Sequence, residues 1–131
     1  MPHLSKNTLS PQKEMELLKT FDIILARITK ADEMKTFLLT LLTPTERLML
    51  AKRLMIAVLL KENLNESNIA EILHVTRGTV YKSKLFLEAR GEGYEVAFKV
   101  LNDVKLKEEL KSVLLSFAKY SIRASSGRIK A

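Results

Sequence analysis

The sequence predicts an all-α protein. Residues that favour helices (Leu, Lys, Glu, Ala and Met) are abundant, whereas the 131 residues include only four Gly and three Pro. Apolar residues recur at helical spacing, and a hydrophobic fraction of 47 % is ample for a core. The length suits one domain. We therefore predict a flexible arm over 1–9, a single helical domain over 10–120 and a flexible basic tail over 121–131.

Local signals mark the first three helices. Ser10-Pro11 has the N-cap and first-position pattern of a helix start, and so does Thr43-Pro44, with Glu46 completing a capping box. The apolar spacing predicts helices from Pro11 to about Thr29, from about Ala31 to Leu42, and from Pro44 to about Glu62.

The third predicted helix is apolar around nearly its whole circumference after Arg53. A helix of this kind must be buried on all sides, and so small a chain can hardly cover it alone. We expect a second copy of the chain to supply part of the cover, in an intertwined homodimer. The alternative is the central helix of a compact monomer.

Residues 65–88 have the pattern of a helix-turn-helix. Asn65 and Thr76 are candidate N-caps of its two helices, and the turn between them is His74-Val75-Thr76, with Val75 expected to point inward. His74 stands where glycine is usual, which predicts a positive φ or an altered turn. The apolar faces would hold Ile69, Ile72 and Leu73 in the first helix, and Val80, Leu85 and Leu87 in the second.

The second helix of this motif is free of acids and rich in cations. No carboxylate occurs between Ile72 and Leu87. Such a helix suits the phosphate-lined major groove of DNA, although a solvated surface would also fit. The candidate base-reading positions are Arg77 and Thr79, with Gly78 allowing close backbone approach or merely tolerated. The candidate phosphate contacts are Ser67, Asn68, Tyr81, Lys82 and Lys84.

The C-terminal third is predicted to be helical as well. Gly91 and Gly93 are expected to end the second helix-turn-helix segment, and a helix of about ten residues follows to Leu101. A further cap near Asn102 or Asp103 predicts an extra C-terminal helix to about Tyr120.

Composition narrows the possible functions. The net charge of +7 favours a polyanionic partner, although membrane-surface proteins share that signature. The absence of cysteine excludes disulfides and thiolate metal sites, and fits a reducing cytoplasm. We expect no signal peptide, because Met1 to Ser10 lacks an apolar run after its charges, and no membrane span, because the longest apolar run, Leu54 to Leu60, is too short for a bilayer. We find no catalytic constellation and no metal-ligand set, so we expect neither an enzyme nor a metal protein.

Two segments carry a family resemblance. LLTPTERLMLAKR, followed about a dozen residues later by ESNIAEILHVTRGTVYKSK, resembles the Trp repressor superfamily. The continuation Gly91-Glu92-Gly93-Tyr94 is most similar to small bacterial Trp-repressor-related proteins with a Gly-x-Gly-Tyr element. The resemblance covers roughly residues 37–101. It implies a Trp-repressor-like interlocked homodimer that presents two reading heads to double-stranded DNA, and a transcriptional regulator that is usually a repressor.

The resemblance also implies where a small effector would bind. Thr43 and Arg53 match the family's residues near the carboxylate of bound tryptophan. Lys82 replaces the arginine that stacks on the indole, and Ser83 replaces the glycine after it. Lysine lacks the flat guanidinium face, and Ser83 adds bulk. We therefore expect no cofactor by default, and tryptophan or another small effector is the alternative.

Two other functions remain open from the residues alone. The helix-turn-helix could dock on an acidic protein as an interaction module, because its cations would serve either partner. The basic tail could instead make the chain a nonspecific nucleic-acid binder.

Overall fold

The computed structural model describes residues 8–103, 108–109, 111–113 and 115–116. None of these residues lies in a β-strand, and the predicted all-α class is confirmed. Residues 108–109, 111–113 and 115–116 are helical, while the rest of the predicted C-terminal helix, most of the arm and the tail lie outside the described residues. Between residues 8 and 103 the structure has six helices, which in chain order are α1 Pro11–Arg27, α2 Ala31–Leu41, α3 Pro44–Lys61, α4 Glu66–Leu73, α5 Arg77–Arg90 and α6 Glu92–Leu101.

The helix starts follow from local capping chemistry. The side chains of Ser10, Asn65 and Thr76 each accept a hydrogen bond from a backbone N–H three residues further on, which supplies a partner to a group that the helix leaves unpaired. At α3 the predicted capping box forms in full. The Glu46 N–H donates to the Thr43 hydroxyl at 3.1 Å, and the Thr43 N–H donates to the Glu46 carboxylate at 2.9 Å.

The chain divides into two compact units, one ending at Arg47 and the other beginning at Leu48, within α3. In the first unit, α1 and α2 contain no buried residue. Apolar side chains that the helical pattern assigns to an inner face remain exposed, including Met15 at 71 % and Leu18 at 54 %. That residues 10–120 form a single domain stays a prediction.

The second unit has the core. Its central cluster consists of Ile56 and Leu59 of α3, Ile69 and Ala70 of α4, and Val80 of α5, all buried. The small Ala70 lies in this cluster, and the turn residue Val75 packs against it as predicted. Core packing therefore fixes the two helix-turn-helix segments on the C-terminal half of α3.

The apolar side chains of α3 are buried only towards the C-terminal end of the helix. Ile56, Ala57, Val58 and Leu59 are buried, whereas Leu48, Met49, Leu50 and Leu54 are exposed. The prediction that Leu85 belongs to the apolar inner face of its helix is wrong, since its side chain is 45 % exposed.

A single residue, Gly91, joins α5 to α6. A Cβ added there would collide with the carbonyl oxygen of Leu87, so the junction requires glycine. Gly93 lies inside α6 rather than before it, with open space around it. Along α6, the ring of Phe98 stacks on Tyr94 at 6.3 Å between centroids and lies under the Lys61 ammonium of α3.

Candidate nucleic-acid interface

The turn between α4 and α5 contains a left-handed residue. His74 ends α4 with φ 52° and ψ 52°, the conformation that usually falls to glycine at a helix C-terminus. The next residue, Val75, donates its N–H to the carbonyl of Ala70 at 3.0 Å. The ammonium of Lys52 on α3 donates to the carbonyl of His74 at 3.3 Å. The predicted positive φ is confirmed, and the turn stays compact despite the missing glycine.

The first turn of α5 is organised around Thr76. Its hydroxyl accepts from the Thr79 N–H at 3.1 Å and lies 2.9 Å from the Thr79 hydroxyl. No acid occurs in this turn. Arg77, at the first helical position, is exposed and makes no hydrogen bond or ion pair with any described residue. Its guanidinium is therefore available to a ligand.

Helix geometry defines an outward face of α5. Each residue turns the helix by about 100°, so Gly78, Lys82 and Leu85 lie roughly opposite the buried Val80, and Tyr81 borders them at about 100° from Val80. All four are exposed. We call them the reading face. Leu85 was missed as a surface residue because an apolar type at helical spacing indicates a core position when the angle between helices is unknown.

Gly78 has no structural requirement in the free chain. Its φ is not positive, and a Cβ added there would meet only the Thr76 hydroxyl at 3.8 Å, an ordinary contact. Glycine in a helix costs about 1 kcal/mol relative to alanine. The cost is thus not offset by anything within the described chain.

The N-terminus of α4 carries the other candidate phosphate contacts. Ser67 and Asn68 are exposed in its first turn. The Asn68 N–H already donates to the Asn65 side chain at 2.8 Å. Only the side-chain amide of Asn68 can therefore donate a hydrogen bond to a phosphate.

Lys84 differs from the other cations of α5. Its ammonium lies 3.2 Å from a carboxylate oxygen of Glu66, the first residue of α4. The side chains are 47 % and 35 % exposed respectively. The candidate phosphate contact is therefore paired within the free chain.

The structure also brings together three of the four candidate effector residues. Arg53, Lys82 and Ser83 line a cavity of about 240 Å³, together with Ala57, Phe86, Leu87 and Tyr94. The Ser83 hydroxyl donates to the Thr79 carbonyl at 3.1 Å. A cavity with two cations and aromatic walls has the chemistry to hold a small aromatic anion.

Thr43, the fourth candidate, has a structural role. Its N–H donates to the Glu46 carboxylate, and its hydroxyl accepts from the Glu46 N–H. Hydrogen bonding to the carboxylate from the Thr43 backbone, and less strongly from its side chain, lowers the pKa of the Glu46 carboxyl from its ordinary value of 4.5.

A buried anchor, a compact turn and an exposed second helix without an acid before Glu88 define a helix-turn-helix protein. The sequence model of the Trp repressor protein family matches residues 15–102, which is more than half of the chain. The chain belongs to this family, whose members are helix-turn-helix DNA-binding regulators rather than enzymes.

The other comparisons add no relatives: no curated protein and no solved structure matches the chain. Among the described residues, no helix combines the length and the apolar character needed to cross a bilayer.

Proposed function

We propose that this protein is a homodimeric transcriptional repressor that inserts α5 into the major groove of promoter DNA. The observation that carries the proposal is the reading face. It is exposed and backed by the buried Val80, and it belongs to a stretch without a carboxylate from Ile72 to Leu87. Phosphate charge attracts such a surface, and insertion of α5 would bring its first turn, with Arg77 and Thr79, and the reading-face residue Leu85 to the base edges. Bound to a bacterial promoter in the cytoplasm, the dimer would exclude the transcription machinery.

The proposed roles follow from side-chain chemistry. Arg77 donates two hydrogen bonds to guanine, while Thr79 and Leu85 contact thymine methyl groups. Gly78 lets the backbone approach the duplex closely. Tyr81, Lys82, Ser67 and Asn68 contact phosphates, which fixes the register of the protein on DNA without selecting a sequence.

The dimer is supported by what a single chain leaves uncovered. Neither α1 nor α2 buries a residue, and α3 exposes four large apolar side chains before Met55. Soluble monomers rarely leave large apolar surfaces in water. A second copy that interlocks through these helices would cover them and would present two reading faces to successive major grooves.

Within the family, we infer that the chain groups with the small bacterial proteins that carry a Gly-x-Gly-Tyr element. The support is the position of that element at the junction of α5 and α6, where Gly91 is required by the contact with Leu87 and Tyr94 stacks on Phe98.

The decisive experiment is recovery of bound sites from a pool of random duplex DNA. We expect an enriched motif with two half-sites whose centres lie about one helical turn apart. Arg77→Ala should relax base preference at one position in each half-site. The matched control is Arg90→Ala, which removes the same charge from the last turn of α5 and should leave the motif unchanged.

Two other results would contradict the proposal. An interaction module for an acidic protein would enrich no motif. A nonspecific nucleic-acid binder would lose binding on removal of residues 121–131, while Arg77→Ala would have no effect.

The proposed repressor needs no effector. Lys82 cannot cover an indole ring as a guanidinium does, and the Ser83 hydroxyl adds volume to the wall of the cavity. Duplex affinity should therefore be the same with and without millimolar L-tryptophan. A rise in affinity that Arg53→Gln abolishes would instead make the cavity an effector site.

A further inference from the structure

The ion pair between Glu66 and Lys84 connects the two helices of the helix-turn-helix. The two residues are eighteen positions apart in the chain, and their charged atoms lie at 3.2 Å. Glu66 begins α4, and Lys84 lies in the second turn of α5. The contact therefore joins the supporting helix to the proposed reading helix.

Lys84 lies on the flank of α5, away from the centre of the reading face. At about 100° per residue, its direction is close to that of the buried Val80 and far from that of Lys82. This direction turns the Lys84 stem toward α4 and its carboxylate. Among the cations of α5, Lys84 is thus the one that Glu66 can neutralise.

Glu66 acts at a second feature that attracts phosphate. Its carboxylate belongs to the first turn of α4, whose N-terminus carries a partial positive charge. A carboxylate at this position partly neutralises the positive charge that would otherwise attract a phosphate. One side chain therefore counters both the Lys84 ammonium and the end of α4.

Replacing the ion pair between Lys84 and Glu66 by a contact between Lys84 and a phosphate costs little folding free energy. Both side chains are partly exposed, and exposed ion pairs contribute little to folding. A phosphate can take the place of Glu66 without disturbing the buried cluster. The fold therefore does not need this contact, which leaves the pair free to act on binding.

We propose that Glu66 is an internal competitor for DNA phosphates that keeps the sequence-independent part of duplex binding weak. The inference rests on the proposed DNA-binding function and identifies a residue that limits its affinity. When Lys84 moves to a phosphate, the Glu66 carboxylate loses its partner and is left close to the duplex. Breaking the ion pair and the repulsion between the carboxylate and the phosphates both weaken binding, whereas Lys84 still releases its counterion from DNA.

Affinity and salt slope together isolate this exchange. Each phosphate neutralised by a cation contributes about 0.9 to the slope of log K against log salt. In Glu66→Gln, Lys84 enters the complex without first leaving a partner, so affinity should rise about threefold near 100 mM salt while the slope stays close to that of the wild type. In Lys84→Gln and in the double variant one phosphate contact is lost, so the slope should be shallower by about 0.9, and removal of Glu66 should raise affinity less than it does when Lys84 is present.

The experiment uses the full chain and a mixed-sequence duplex of about 20 base pairs, so no operator needs to be known. Glu16→Gln on α1 is the control for net charge, because it removes one exposed carboxylate outside the helix-turn-helix. Its affinity and its slope should both match those of the wild type. Thermal unfolding should show all variants folded, since the pair is exposed.

The outcomes separate this inference from the proposed function. Equal duplex affinities for the wild type and Glu66→Gln overturn the inference and leave the proposed function intact. A rise in affinity on Glu66→Gln that is just as large when Lys84 is also replaced overturns it as well, because Glu66 would then act without Lys84. A wild-type chain that binds no duplex overturns both.

Discussion

The ammonium of Lys52 donates a hydrogen bond to the carbonyl oxygen of His74, with 3.3 Å between the two atoms. The last carbonyls of a helix have no partner within it, and a cation nearby is favourable. Lys52 belongs to α3, so the bond ties the end of α4 to the helix that carries the core. Two hydrogen bonds therefore hold the turn that sets the direction of α5. One comes from the Lys52 side chain, and the other runs from the Val75 N–H to the carbonyl of Ala70.

His74→Gly should stabilise the protein. A side chain in the left-handed region costs roughly 1–2 kcal/mol, and glycine is the preferred residue at this position of a helix end. Part of this gain is lost to the greater freedom of glycine in the unfolded chain, so we expect about 0.5–1 kcal/mol in urea unfolding.

Asn63→Gly is the matched control, because Asn63 also has a positive φ, 63°. Asparagine tolerates this conformation better than most residues, so the gain there should be smaller. A loss of stability in His74→Gly would mean that the imidazole contributes more than its backbone strain removes.

Gly78→Ala should separate stability from DNA binding. Nothing in the described chain obstructs the new methyl group, so the free energy of unfolding should rise by about 1 kcal/mol. If the backbone of α5 approaches the duplex closely, affinity for the selected site should fall about tenfold or more.

Gly93→Ala provides the comparison, since Gly93 also lies in a helix with open space around it. This variant should gain similar stability and keep its DNA affinity. Unchanged binding in both variants would show that Gly78 is tolerated rather than needed.

Leu18→Glu should break the proposed dimer. The Leu18 side chain is exposed in the single chain, so the charge costs little there, but a subunit interface would bury it without a partner. Sedimentation should give twice the 14.9 kDa chain mass for the wild type and a smaller species for the variant.

The control is Lys19→Glu, at the next position of α1, because the native residue there is already charged. It should leave the oligomeric state unchanged. A wild-type chain that sediments at 14.9 kDa would contradict the dimer directly.

The capping box of α3 should make stability depend on pH. The hydrogen bonds from Thr43 lower the pKa of the folded Glu46 carboxyl below its ordinary value of 4.5. The unfolded chain then binds the proton more readily, so this contribution is present above about pH 4.5 and is lost as pH falls through the folded pKa.

Glu46→Gln retains an acceptor for the Thr43 N–H but cannot titrate, so its unfolding free energy should fall less steeply in acid than that of the wild type. Thr43→Ala should cost about 1 kcal/mol at neutral pH, because the N-cap hydroxyl is lost. Parallel pH profiles for the wild type and Glu46→Gln would argue against the capping box.

Helix starts were predictable because their causes are local. Ser10, Thr43, Asn65 and Thr76 each act on a residue three positions away, and that spacing can be read from the chain. The buried Ile69 and Val80 followed from apolar periodicity in the same way. The positive φ of His74 was predictable because the position usually belongs to glycine.

What could not be predicted depends on how helices cross. The exposure of Leu85 and the pairing of Lys84 with Glu66 are set by the angle between α4 and α5, which no local pattern encodes. The helical pattern of α1 identified an apolar face, but it could not show that the single chain leaves this face in water. Such features require the packed structure.

The one-residue junction at Gly91 leaves no slack between α5 and α6. An inserted residue would rotate α6 by about 100° and advance it by about 1.5 Å, pulling Tyr94 and Phe98 out of register with Lys61. Any tilt of α5 must likewise carry the start of α6 with it. We therefore expect α5 and α6 to move together, so that a change in the orientation of one helix changes the orientation of the other.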